Sequence, residues 1–211
     1  MIEINTLFRV MKTPTLYSAL SLLILLICEA PVIGQCPVYG DASATNLKGR
    51  ALNKAKNSPV KVPASWNIQS VPLSLFINSP KKNDASAYMN GAYAYTEGYI
   101  TTKPEEKGPE SCNCKKATVK KKNGDVHIYL GLDPNAPKSK CIVVEITPAY
   151  KKIHPDYING LVQGQKVRVE GLLLFDFEHK GNAANTCKSC SDVWRKTCWE
   201  IHPITKITLE N

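Results

Sequence analysis

"CIVVEITPAYKKIHPDYINGLVQGQKVRVEGLLLFDF", Cys141 to Phe177, holds two stretches that alternate with period two and one short helical stretch between them. In CIVVEITP (Cys141–Pro148), Ile142, Val144 and Ile146 share one face, opposite Val143 and Glu145, the pattern of a strand with one face in a core. DYINGLVQG (Asp156–Gly164) reads as a short helix that stops at a glycine. QKVRVEGLLLFDF (Gln165–Phe177) is a long strand with Gly171 in its middle, which marks a bend or bulge. Working outward, DVHIYLGL (Asp125–Leu132) sets Val126, Ile128, Leu130 and Leu132 against His127 and Tyr129. AYAYTEGYITTK (Ala92–Lys103) alternates too. WEIHPITKITLE (Trp199–Glu210) is a last strand broken at Pro203, hence an edge or a bulge.

The order is strand, strand, strand, helix, strand, strand. One helix between strands three and four resembles the arrangement of the OB-fold. The predicted fold class is therefore mainly β: a five-stranded OB-like barrel (β-β-β-α-β-β) over residues 91–211, with residues 35–90 as an N-terminal arm. A β-sandwich or another small barrel is the alternative. Within the arm, ATNLKGRALNKAKN (Ala44–Asn57) predicts a short helix with Leu47, Ala51 and Ala55 on one face; Pro59, Pro63, Pro72 and Pro80 stop anything longer. DVHIYL, KVRVEGLLLFDFEH and WRKTCWEIHP also resemble a family of uncharacterised secreted bacterial proteins that end in a W-E-I-H-P strand. That resemblance runs from Gly91 to the C-terminus. It implies a domain type and a role for the histidines, and supplies no mechanism.

Thr15–Ile27 is an apolar run preceded by Arg9 and Lys12, too short for a spanning helix and read as the core of a secretory signal over residues 1–34; a retained anchor is the alternative. Val32 and Gly34 suit cleavage before Gln35. The expected localisation is secreted or periplasmic, with no transmembrane span after cleavage. Residues 1–34 carry two charges of each sign, so the net charge of +9 survives their removal. Such an excess favours polyanions, nucleic acid among them, or serves solubility alone. In an oxidising compartment, Cys112, Cys114, Cys141, Cys187, Cys190 and Cys198 read as disulfides and Cys36 as the odd one out. The expected pairing joins Cys112 and Cys114 to Cys187 and Cys190, and Cys141 to Cys198. A four-thiolate zinc site from the first four is the competing reading.

Burying a Leu or Ile side chain stabilises by about 1.5–3 kcal/mol, so the apolar faces of strands two and three point inward. That sends His127, Tyr129 and Glu145 to the outside, where OB barrels bind ligands between the loops L12 and L45. Here L12 is Gly108–Gly124 and L45 is Glu178–Cys198. Tyr93, Tyr95 and Tyr99 share a face of strand one. With Tyr129 they suggest an aromatic groove flanked by Lys120, Lys121 and Lys122 of L12 and Arg195 of L45, a pattern suited to single strands or sugars. His127, Asp176, His179 and His202, with Glu145, form the candidate catalytic set. The same histidines and Asp176 are candidate ligands for a divalent metal that activates water. Each is equally readable as a hydrogen-bonded structural residue. Three functions compete: a secreted OB-fold module that binds an anionic or sugar-like ligand, a metal-dependent hydrolase or nuclease, and a structural envelope protein.

Overall fold

The protein is described from a computed structural model covering residues 36–64, 68–78, 88–106, 110–114 and 124–210. Helix α1 is Leu47–Asn57, followed by β1 (Gln69–Ser70), α2 (Leu73–Asn78), β2 (Tyr93–Ile100), β3 (Glu105–Glu106), β4 (Val126–Gly131) and β5 (Ile142–Ile146). Then come α3 (Pro148–Ile153), α4 (Pro155–Asn159), β6 (Lys166–Phe175) and β7 (Trp199–Leu209).

β2 pairs antiparallel with both β4 and β6, β4 with β5 and β6 with β7, while β5 and β7 run parallel. The ring β2-β4-β5-β7-β6 is thereby closed. Three strands in a meander, a helical connection, a fourth strand beside the first and a fifth between the third and fourth make this an OB barrel. β1 adds to β2 and β3 to β4 as short outer pairings.

The alternation places side chains as expected. Val126, Ile128 and Leu130, Ile142, Val144 and Ile146, Val167, Val169 and Leu173, and Trp199 and Ile201 enter one core. Val71, Leu73 and Phe76 of the stretch before the barrel join it. Gly171 opposes Ile204, and the register slips on both sides of it. A Cβ there would lie 2.4 Å from the Pro203 carbonyl oxygen, so only glycine fits the bulge. The helical connection starts earlier than expected. Thr147 caps α3 through its hydroxyl, which accepts from the Tyr150 N–H at 3.3 Å, and Pro155 then begins α4.

α1 forms where predicted but docks through another face. Leu47 is 74 % exposed and Ala51 is exposed, while Gly49, Leu52, Asn53 and Lys56 are buried at helical spacing. The docking is mostly polar, which hydrophobic periodicity does not register. The Asn53 amide donates to the Tyr39 carbonyl at 2.9 Å and its Oδ1 accepts from the Ser111 hydroxyl at 3.0 Å. Gly40, at φ +58°, lets the arm pass against the Ser111 carbonyl, where a Cβ would lie 2.0 Å away.

The cysteine pairing also differs. Cys36 joins Cys114, tying the arm to L12, and Cys187 joins Cys190 within L45. Cys112, Cys141 and Cys198 are buried thiols. Cys112 turns towards Asp125, Sγ to Oδ2 3.7 Å, and not towards L45. Cys141 packs with Tyr129 and Val143, whereas Cys198 lies in the main core, so their sulfurs enter separate clusters.

Candidate functional site

All residues of β4 and β5 are buried, so the outer face of these strands is covered as fully as the inner one. His127 and Tyr129 of β4, Glu145 of β5, and Glu200 and His202 of β7 stand on that outer face. His127 lies directly opposite Glu145 in the ladder. α1 closes over them with Lys56, L12 contributes Glu110 and Cys112, and L45 contributes Trp194 and Arg195. The ligand face of the barrel is thus roofed by the chain itself.

What lies under the roof is ionisable. His127 Nε2 is 3.2 Å from Glu145 Oε1 and 3.3 Å from Glu110 Oε1. His202 Nδ1 is 2.7 Å from Glu145 Oε2 and 3.4 Å from Glu200 Oε1, and its Nε2 is 3.9 Å from Asp125 Oδ2. Lys56 Nζ sits 2.6 Å from Asp176 Oδ2, with Glu200, Glu110 and Glu145 at 3.7, 3.8 and 4.0 Å. Arg195 donates to Glu200 Oε2 and to the Thr197 carbonyl, both at 2.7 Å. Lys56, Asp125, His127, Glu145, Asp176, Arg195, Glu200 and His202 are all at most 3 % exposed.

Burial opposes the charge on Lys56, yet Glu145, Glu200, Asp176 and Glu110 outweigh it and hold its pKa well above the ordinary value. Burial likewise opposes protonation of His127 and His202, and the surrounding carboxylates together outweigh it, Glu145 and Glu110 at His127 and Glu145, Glu200 and Asp125 at His202, raising them to about 9 and about 10. Burial would raise Glu145, but Lys56 and the two histidines hold it well below the usual range. Asp125 is pushed up to about 6, chiefly by burial. Removing this many charges from water costs several kcal/mol per ion unless each is paired, so the arrangement is no cheap route to stability.

The cluster opens to solvent beside α1. A cleft of about 590 Å³ is lined by Lys56, Glu110, Cys112, His179, Asp41 and Glu178, among others. Trp194 flanks it, its ring 4.9 Å from that of His179 and 6.0 Å from that of His127. Three sets of side chains bring ligand atoms within 4.8 Å of one another: Glu110, His127 and Glu145; Asp125, Glu145 and His202; Glu110, Cys112 and Asp125.

Of the predicted residues, His127, Glu145 and His202 meet. Asp176 adjoins them through Lys56 and also caps the turn after it, Oδ1 accepting from the Glu178 N–H at 2.9 Å. His179 is half-buried at the cleft, Nε2 3.6 Å from Asp176. Of the expected aromatic groove, Tyr99 is half-buried and stands beside β4, opposite Gly131. Tyr95 and Tyr93 make their contacts with Arg168 of β6 and Thr205 of β7, away from His127. Tyr129 is fully buried with Lys138 over its ring at 4.5 Å, and Arg195 is fully buried against Glu200. Lys120, Lys121 and Lys122 lie outside the described residues. Sequence reasoning missed Lys56, Glu110, Asp125 and Glu200. Parity marks two of them, since Asp125 alternates with His127 and Glu200 with His202; nothing in the sequence marks Lys56 or Glu110.

No family model matches the chain. No curated protein matches it either. Among solved structures the chain is similar to the asparaginyl-tRNA synthetase of Entamoeba histolytica, at 12% identity and a TM-score of 0.34, covering 68% of this chain and 23% of that one. A likeness of that size bears on neither fold nor function; the fold rests on the strand order. No helix among the described residues is long and apolar enough to cross a membrane.

Proposed function

We propose that the protein is a metal-dependent hydrolase of an anionic ester, with the histidine–carboxylate cluster as its centre and the cleft beside α1 as the way in. One observation carries this. Neither ring nitrogen of His127 or His202, nor either carboxylate oxygen of Glu145, makes a hydrogen bond of good geometry, although His127 Nε2 and His202 Nδ1 lie 2.7–3.3 Å from oxygens of Glu145 and Glu110. Buried donors and acceptors are nearly always satisfied, so atoms brought this close without hydrogen-bond alignment suit ligands around a cation. A divalent ion there lowers the pKa of a bound water towards neutrality and so supplies a nucleophile.

The cluster's own charge separates this reading from a polyanion-binding groove. Glu110, Asp125, Glu145, Asp176 and Glu200 outnumber Lys56 and Arg195, and by one still outnumber them when His127 and His202 are protonated, so the cluster does not favour a polyanion unless a cation is bound. With Mn²⁺ or Zn²⁺ supplied, the protein is expected to cleave at least one of a panel of phosphate diesters, phosphate monoesters, sulfate esters and oligonucleotides. Excess chelator and Glu145→Gln should each reduce turnover by 10²-fold or more, on the order of what a lost charge stabiliser costs. Oligonucleotide binding that is salt-sensitive, metal-independent and never followed by cleavage would establish the binding-module reading instead.

Export completes the proposal. The two disulfides of the described chain accord with an oxidising compartment. N-terminal sequencing of the protein from the cell exterior or periplasm should begin at Gln35; residues 11–30 still attached would contradict it.

A further inference from the structure

We propose that the cluster holds two divalent cations bridged by the Glu145 carboxylate, one held with Glu110 and His127 on the Oε1 side and the other with Asp125 and His202 on the Oε2 side. Only the substrate consequence drawn below rests on the hydrolase reading.

The two ligand sets share one residue, Glu145, and use its two oxygens separately. Oε1 faces His127 Nε2 at 3.2 Å, and Oε2 faces His202 Nδ1 at 2.7 Å. The glutamate is fully buried at the penultimate position of β5, with β4 on one side and β7 on the other. The two histidines therefore reach it from opposite neighbours. A tetrahedral site with bonds of about 2.0–2.1 Å has ligand–ligand edges of roughly 3.3 Å, and an octahedral one roughly 3.0 Å. The His127–Glu145 and His127–Glu110 separations of 3.2 and 3.3 Å fit the first. On the second side His202 Nδ1 is 2.7 Å from Glu145 Oε2, the 3.9 Å approach to Asp125 is made by the other ring nitrogen, and one ligand atom from each of the three residues lies within 4.8 Å of the others. The second, independent observation is the state of the imidazoles. Both are about 99 % buried, point into the cluster, and leave both nitrogens without an aligned hydrogen bond.

Charge bears on the number of ions. With both histidines neutral, as metal ligands must be, the five carboxylates exceed Lys56 and Arg195 by three charges. One dication leaves the centre negative, and two leave it with one positive charge in excess, which an anionic ligand can neutralise. Lys56 Nζ is closest, at 2.6 Å, to Asp176, which belongs to neither set, and stands farther, at 3.8 and 4.0 Å, from Glu110 and Glu145, which do. Imidazole and carboxylate donors suit zinc, manganese or iron.

Paired cations sharing a carboxylate clamp both the attacking and the leaving oxygen of an in-line displacement, which points to phosphate esters within the anionic substrates proposed above. In that reaction a water oxygen bonds to phosphorus and the ester P–O bond breaks. One proton of the water ends on the leaving alcohol and the phosphate keeps its charge.

The test begins with the oxidised mature protein, stripped by chelator and dialysed against Mn²⁺. Metal analysis should give two ions per chain, and electron paramagnetic resonance should show two spin-coupled Mn²⁺ ions. His127→Gln and His202→Gln, each confirmed as folded by circular dichroism, should each drop the ratio to one and remove the coupling. One uncoupled ion in the wild type overturns the bridge. No bound metal in the folded wild type overturns both this proposal and the metal-dependent reading. Two coupled ions with no phosphoesterase activity leave the metal pair standing and overturn the hydrolase reading.

Discussion

Lys56→Met is expected to lower the stability of the metal-free protein by about 3–5 kcal/mol, the range for removing one partner from a buried ion pair. The substitution keeps the length of the stem and deletes only the ammonium. Asp176 then loses a partner at 2.6 Å, while Glu200, Glu110 and Glu145 lose one at 3.7–4.0 Å, and of these four carboxylates only Glu110 is partly open to water. The remaining carboxylates must protonate or the arm must lift away. Urea denaturation of wild type and variant, with chelator present, measures the difference. Adding millimolar Mn²⁺ should restore more stability to the variant than it adds to the wild type, because the dication supplies the charge that was removed. A loss below about 1 kcal/mol would mean that Lys56 only fills space.

The second large effect is expected at the Cys36–Cys114 disulfide. It spans 78 residues, and the loop-entropy account gives a bond of that span about 4 kcal/mol. Cys187–Cys190 spans three residues and contributes less than half as much on the same account. The double variant Cys36→Ser/Cys114→Ser should therefore melt far below wild type, and Cys187→Ser/Cys190→Ser close to it. Calorimetric melts at one protein concentration compare them. Equal losses in the two variants would show that the arm is held by its polar contacts and Lys56, with the disulfide adding nothing.

Barrel topology was legible because strands with one face in a core announce themselves by alternation, and five such strands with a helical insert after the third admit few closures. The same parity exposed His127, Glu145 and His202. α1 shows where that legibility ends. Its buried face holds Gly49, Asn53 and Lys56, joined by side-chain hydrogen bonds and ion pairs whose partners, Tyr39, Ser111 and Asp176, lie 14 to 120 positions away or on other elements. Local periodicity carries no trace of such bonds. The cysteines failed for a related reason. Rim geometry put L12 and L45 together, but the arm reached the rim first and took Cys114. The tyrosines of β2 were only partly placed because a shared face on one strand says nothing of which neighbour continues it: Tyr95 meets Arg168 of β6 and Tyr93 meets Thr205, while Tyr99 alone stands beside β4, opposite Gly131.

The bulge at Gly171 and Pro203 divides the last strand into two parts with different duties. Before it, Glu200 and Ile201 are flanked by β5 on one side and β6 on the other. After it, Ile204 to Leu209 pair with β6 alone. The slip in register lets Ile201 and Ile204 both face inward although an odd number of positions separates them. The phase of the strand is thereby reset between its halves. The half that carries Glu200 keeps its own setting, as one gear keeps its teeth when a clutch lies between it and the next, and His202 falls in the slip itself, between the pairs Leu173–Ile201 and Gly171–Ile204.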